Sequence, residues 1–319
     1  MYHLGIDLGG TNIAVGVVDN NYNIIGRGKV KTNAPRPAEE ICDDMYKAAE
    51  MAVQDAGLSF EDISTVGVGS PGSVNPKTGV IGTSNNLRFN NVPMGEMLKE
   101  RFKCDVFLEN DASAAAYGEF IAGAGVGTQN FVAITLGTGV GSGIIIDGKL
   151  FAGHNFSGGE LGHTVIVYNG LPCTCGRKGC WEAYASATGL INLTKKVMEK
   201  DDKTVMWKLC GNNIKNVNGR TAYDGMRAND KTAIKVVEEY TNYVACGIIN
   251  TINTFQPEVL CIGGGISKEG DNLTVPITKI VEKERFDKNI EKQTKIKIAK
   301  LGNDAGIIGA AFLFRLCNE

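Results

Sequence analysis

The chain has no apolar run approaching the ~18 residues of a membrane-spanning helix, so none is expected. Nor does one sign of charge dominate. Lys and Arg number 33 against 35 Asp and Glu, a net charge of −2, which gives no electrostatic footprint for nucleic acid or an anionic membrane. The first residues, Met1-Tyr2-His3-Leu4-Gly5-Ile6-Asp7, lack the basic and apolar regions of a signal peptide, and a cytoplasmic protein is expected. The phosphate-loop pattern G-x-x-x-x-G-K-[ST] is missing too. A disulfide framework is not expected either. Six of the nine cysteines (Cys42, Cys104, Cys210, Cys246, Cys261 and Cys317) are scattered and read as small buried hydrophobes.

Glycine is what the chain has in plenty, 41 of 319 residues, where about 7% is usual. These glycines gather in short loops beside apolar runs. The length suggests two domains at roughly 150 residues each. With 43% hydrophobic and 21% charged residues, wholesale disorder is excluded.

Strands are expected at 3–8, 12–18 and 24–30, and a helix at 38–56 from the spacing of Ile41, Met45, Ala48, Ala49 and Ala52. A strand at 63–68, a long loop at 70–92, a helix at 93–102, a strand at 106–108 and an Ala-rich helix at 112–122 follow. Ile6-Asp7-Leu8-Gly9-Gly10-Thr11 then aligns without gaps to Ile134-Thr135-Leu136-Gly137-Thr138-Gly139, which points to an internal duplication. The second half adds helices near 183–200 and a polar stretch at 200–219 that reads as a surface insertion. Asp230 caps a long helix to about Phe255, and a strand at 259–262 runs into Gly263-Gly264-Gly265. A helix from Pro276, a strand at 296–301 and a helix at 304–316 complete an α/β chain.

Two glycine turns in equivalent places, Gly9-Gly10-Thr11 and Gly137-Thr138-Gly139, expose backbone N–H groups that make nests for phosphate. The plainer reading of either is a hairpin turn. Asp7 is placed to hold Mg²⁺ through water. Asp111, between a strand and a helix, is either an N-cap or a base that accepts a hydroxyl proton. His163, Cys173, Cys175 and Cys180 have the residue types and density of a Cys₃His zinc site, with a disulfide or a redox C-x-C as alternatives. Glu160 and Glu182 flank that cluster, suited to accept hydrogen bonds from sugar hydroxyls or simply to face solvent.

Asp7-Leu8-Gly9-Gly10-Thr11, Glu160-Leu161-Gly162-His163 and Cys173-Thr174-Cys175-Gly176-Arg177-Lys178-Gly179-Cys180-Trp181-Glu182 together resemble the signatures of the ROK family of sugar kinases and repressors. The resemblance runs from Asp7 to the last helix. By length and by the ten-residue gap from His163 to Cys173 it is most similar to the family's bacterial ATP-dependent glucokinases. It implies two RNase H-like (hexokinase/actin-like) domains about a cleft, a small one of 1–115 plus 303–319 and a large one of 116–302 with the zinc loop. It implies Asp111 as catalytic base, and Gly72, Asn86, Asn110, Asp111, Glu160, His163 and Glu182 as sugar contacts. The match at Asn86 is looser, since Phe89 stands where the family often has Trp. ATP would lie across Asp7, Gly9, Gly10, Thr11, Asn12, Gly137, Thr138, Gly139, Gly264 and Gly265, with Mg²⁺. Structural Zn²⁺ would sit on His163, Cys173, Cys175 and Cys180.

The expected activity is phosphorylation of the 6-hydroxyl of glucose by ATP, in a homodimer or homotetramer that binds neither nucleic acid nor membrane. Another hexose or N-acetylhexosamine, or a polyphosphate donor, is the rival within the class. A sugar-responsive regulator or an actin-like assembly protein is the rival outside it. Against the regulator, a first strand at residue 3 leaves no room for a preceding helix-turn-helix. Because the glycine turns belong to other loops than the zinc ligands, nucleotide binding is expected to be indifferent to zinc.

Overall fold

The computed structural model describes residues 1–317, and of Cys317 the backbone alone. Chain order begins with β1 (Tyr2–Leu8), β2 (Asn12–Asp19), β3 (Ile24–Lys31), α1 (Ala38–Asp55) and β4 (Ile63–Ser70). Next come β5 (Ser73–Asn75), β6 (Val80–Ser84), β7 (Phe89–Val92), α2 (Met94–Phe102), β8 (Asp105–Asn110) and α3 (Asp111–Ala122). The second half runs β9 (Phe131–Leu136), β10 (Val140–Ile146), β11 (Lys149–Leu150), α4 (Glu182–Ala185), α5 (Ala187–Met198), α6 (Met206–Leu209), α7 (Thr221–Arg227) and α8 (Lys231–Phe255). It closes with β12 (Val259–Gly263), α9 (Asp271–Glu284), β13 (Lys295–Ile298) and α10 (Ala305–Ala311).

Two five-stranded sheets carry the same spatial order, β3-β2-β1-β4-β8 and β11-β10-β9-β12-β13. In the first, β1 to β3 form an antiparallel meander while β4 and β8 add in parallel. In the second, β10 pairs antiparallel with β11 and β12 parallel with β13. The duplication read from the two glycine turns therefore extends to whole sheets. The chain divides into one compact unit of Met1–Ala133, Gly143–Gly159 and Lys300–Glu319 and a second of Ile134–Ser142 and Glu160–Ala299. Among the described residues no helix is long and apolar enough to cross a membrane.

Period-two alternation sorts the first sheet's side chains. Leu4, Ile6 and Leu8 share a core with Ile41, Met45, Ala48 and Ala52 of α1. The intervening Gly5 and Asp7 face α10, where Gly5 lies under the Ile307 carbonyl and Asp7 beside Gly306. Gly67 of β4 lies under the Ala310 carbonyl in the same way. Where α3 crosses α10, Gly118 and Gly309 bring the two helix backbones into direct contact. In the second unit the Trp181 ring is fully buried against Gly247 of α8, and its Nε1 donates to the Tyr243 carbonyl at 2.8 Å.

Several expectations change. The stretch 70–92 is not a plain loop but a three-stranded sheet, β5-β6-β7. Its strands are too short to show a period, and the turn at Asn75–Gly79 dominates the sequence signal. The stretch 200–219 is not wholly superficial, since Met206, Cys210 and Val217 are buried. Helix α9 starts at Asp271, five residues before Pro276, so the proline sits inside it. Helix α10 ends at Ala311 and continues only as a 3₁₀ turn. Of the scattered cysteines, Cys42, Cys210 and Cys261 are buried, while Cys104 and Cys246 are partly exposed. The side chain of Cys317 lies outside the described residues.

Helix propensity alone favours alanine over glycine by about 1 kcal/mol. At Gly309 the sign should reverse, because a Cβ would enter the Ala114 carbonyl of α3. Gly309→Ala is expected to lower stability by about 3 kcal/mol, the upper range for overpacking, measured by urea unfolding. An unchanged midpoint would show that the crossing yields freely.

Candidate active site and metal centre

In the first unit, β8 ends at Asn110 and α3 begins at Asp111. Asn110, not Asp111, is the N-cap: its Oδ1 accepts from Ala112 N at 2.9 Å and Ser113 N at 3.1 Å. Its Nδ2 donates to the Gly72 carbonyl at 3.1 Å. Gly72 has φ +105°, and a Cβ there would strike the Thr83 carbonyl, so only glycine fits. Asp111 accepts the Ala112 N–H at 2.9 Å through Oδ1 and is thereby fixed in orientation.

Burial pushes the Asp111 carboxyl up, partly offset by N–H donors at the helix start. Asp7 is pushed up to about 6, by burial first and by the Asp111 charge second. These two carboxylates, desolvated and repelling each other, are the oxygen donors that Mg²⁺ prefers. Beyond Asp7 the chain turns through Gly9, whose N–H bonds the Asn12 carbonyl at 2.9 Å, leaving Gly10 and Thr11 at the apex. The Thr32 hydroxyl holds the Gly9 carbonyl at 2.6 Å. Asn86 is exposed, with its Cβ 3.5 Å from where a Cβ on Gly10 would stand. Asp7, Gly9, Gly10, Thr11, Asn12, Gly72, Asn86, Asn110 and Asp111 thus all belong to one unit.

The remaining candidates belong to the second unit. The ligand atoms of His163, Cys173, Cys175 and Cys180 all lie within 4.8 Å of one another. Cys175 Sγ is 3.6 Å from Cys180 Sγ, and Cys173 Sγ is 3.6 Å from His163 Nδ1. A disulfide would need about 2.05 Å. Zn–S bonds of about 2.3 Å give a tetrahedral edge of ~3.7 Å, so the donor set fits zinc. Gly176 and Gly179 turn the loop with φ +91° and +81°. With Nδ1 toward the sulfurs, His163 keeps Nε2 for a hydroxyl.

Gly137, Thr138 and Gly139 are held from several sides. Ala187 N–H donates to the Gly137 carbonyl and the Thr188 hydroxyl to the Thr138 carbonyl, both at 2.8 Å. Gly264, at φ +83°, packs on the backbone of Leu136, just ahead of the turn. Space opens where a Cβ on Gly137 or Gly265 would stand. A cavity of ≈ 600 Å³ is lined by Thr138, Thr174, Glu182, Thr188, Lys196 and Tyr243, among others. Glu160 is exposed at the edge of the metal loop.

Sequence reasoning missed two buried acids. Glu109, 5% exposed, is pushed up to about 7 by burial and accepts the Asn110 N–H at 2.8 Å. Glu119, 2% exposed, accepts from Ala124 N at 2.8 Å, Lys300 N at 3.1 Å and Leu301 N at 2.7 Å. A glutamate inside an apolar strand, and another in an Ala-rich helix, were the signals available.

The ROK family model matches residues 3–316. The chain is 34% identical over 316 residues to a glucokinase of Halalkalibacterium halodurans, covering 98% of this chain and 95% of that one. It is 26% identical to a xylose repressor of Caldicellulosiruptor bescii, over 96% of this chain and 76% of the repressor. Among solved structures, a ROK family glucokinase from Streptomyces griseus in complex with glucose and AMPPNP superposes with a TM-score of 0.84 at 33% identity, covering 98% of this chain and 99% of that one.

A raised carboxyl favours the protonated form in the folded state, so Glu109 supports folding fully below its unfolded value near 4.5 and loses that support as pH rises through about 7. Glu109→Gln, which fixes the neutral form, is expected to match the parent at pH 4.5. At pH 8 it should exceed the parent by up to about 3 kcal/mol in chemical unfolding. Equal stability at both pH values would contradict the assignment.

Proposed function

We propose, since this chain belongs to the ROK family, that it transfers the γ-phosphoryl group of ATP to the 6-hydroxyl of glucose. The observation that carries this reading is Asp111, freed of capping by Asn110 and fixed at the head of α3. In this mechanism the sugar oxygen forms its bond to the γ-phosphorus while its proton passes to Asp111. The bond from phosphorus to the bridging oxygen breaks and ADP leaves. A raised carboxyl is a stronger base than an ordinary aspartate at neutral pH, and phosphoryl transfer asks chiefly for orientation. The relatives named glucokinase, and the related structure that holds glucose with AMPPNP, support the choice of substrates.

Gly72, Asn86, Asn110, Glu160, His163 and Glu182 hold the sugar hydroxyls in this reading. The backbone N–H groups of Gly9 to Asn12 and Gly137 to Gly139, with Gly264 and Gly265, hold the nucleotide. When bound near Asp7, Mg²⁺ supplies charge neutralisation on the phosphates. His163, Cys173, Cys175 and Cys180 would hold zinc through four protein ligands, and the ion would supply order to the loop between Glu160 and Glu182. In this reading the protein works in the cytoplasm, where ATP is at hand.

Asp111→Asn is expected to keep fold and glucose affinity while turnover drops at least about 10²-fold, the scale of a positioned base. Turnover near the parent's would remove Asp111 from the chemistry. Specificity is tested on purified protein with glucose, mannose, fructose and N-acetylmannosamine, each with ATP or polyphosphate. Glucose with ATP should give the highest kcat/KM. Failure to phosphorylate any sugar would favour the regulator role that repressor-named relatives suggest.

A further inference from the structure

Glu182 does not stand on the metal loop alone. Its Oε2 accepts the Val140 N–H at 3.1 Å, at the first residue after the Gly137–Gly139 turn. Its Oε1 lies 3.4 Å from the Thr174 hydroxyl and 3.6 Å from Cys173 Sγ, both on the metal loop. A Cβ on Gly139 would collide with Oε2, so the turn is shaped around this carboxylate. The other arm of the loop touches the same strand. Leu161 N–H donates to Ser142 Oγ at 3.1 Å, and Gly162 lies against the Val140 carbonyl, where a side chain would not fit. Both arms leading to the metal ligands therefore bracket Val140–Ser142. The glycine turn and the metal loop, though separate in sequence, are thus in direct contact.

We propose that Glu182 is a positioning residue for the nucleotide, transmitting the order that zinc imposes on residues 160–182 to the phosphate-binding turn at Gly137–Gly139. The inference rests on reading that turn as the nucleotide cradle. Its physical basis is a charge-assisted hydrogen bond to Val140, at the base of the turn. With the loop pinned, the Glu182 carboxylate is held between Thr174 and Val140, and the turn's N–H groups keep one orientation. With the loop released, the carboxylate loses its fixed second partner and the turn must be ordered by each incoming nucleotide.

The test measures Mg²⁺·AMP-PNP affinity by calorimetry without sugar, so that any sugar contact of Glu182 has no bearing. Amide exchange at Val140 and zinc content are read on the same protein. Zinc-stripped protein and Glu182→Ala should each bind AMP-PNP about tenfold more weakly and exchange Val140 faster. Stripping Glu182→Ala of zinc should add little, because both changes cut one connection. Glu182→Gln, which keeps an acceptor for Val140, should retain most of the affinity. Thr174→Val leaves all four metal ligands in place and should show a smaller loss with full zinc content. Unchanged affinity and exchange after zinc removal, or losses that multiply, would overturn the coupling. Gly137→Val separates this from failure of the cradle itself. If it binds AMP-PNP normally, the turn is not the nucleotide site and the inference falls with that reading. If it binds weakly while the Glu182 and zinc arms do not, the coupling alone is wrong.

Discussion

Backbone meets backbone where α3 and α10 cross and where α10 lies on β1 and β4. Gly5, Gly67, Gly118 and Gly309 each face a carbonyl or amide with no room for a methyl group. At such contacts there is no flexible side chain to give way, and a close-packed interior yields little around them. The site depends on them. Asp7 lies beside Gly306 of α10, and Asp111 starts the helix that α10 crosses. Both the burial that chiefly raises Asp7 and the Asp111 charge that adds to it follow from how closely these glycines let α10 approach.

The duplicated sheets show how one topology is put to two uses. In the first, the strand before the glycine turn carries Asp7, while the equivalent position in the second is Thr135. The first turn is closed by its own hairpin and by Thr32. The second also closes on itself, Gly137 N–H to the Gly139 carbonyl at 3.0 Å, but its further support comes from groups far along the chain, Glu182, Ala187 and Thr188. Each half has kept its strand order while the support of its turn has diverged.

Much of this was legible in the sequence because it is local. The glycine turns, the Cys₃His spacing and the individual strands and helices are patterns within short stretches, His163 to Cys180 spanning 18 residues. The sequence leaves Asp111 open between cap and base because Asn and Asp stand side by side there, and only geometry shows that Asn110 is the side chain spanning both the Ala112 and the Ser113 N–H groups. The link from Glu182 to Val140 joins residues 42 apart, and those from Glu119 to Lys300 and Leu301 join residues 181 and 182 apart. No periodicity reports such pairs. The β5-β6-β7 sheet was hidden for a different reason, since strands of three to five residues between turns carry less signal than the turns themselves.

Helix α10 is made last yet covers the sheet that is made first. As the chain leaves the ribosome, β1 and β4 emerge long before the segment that fills the glycine trough on their α10 face. The buried Glu119 likewise has to wait for Lys300 and Leu301 before two of its three N–H partners exist. The second unit, in contrast, ends at Ala299 and has its full complement of residues earlier. Synthesis therefore proceeds through a stage in which the later unit is complete and the earlier one is not. During that stage a carboxylate lacking two of its three partners, and the strip of strand backbone that α10 later covers, stand open to solvent.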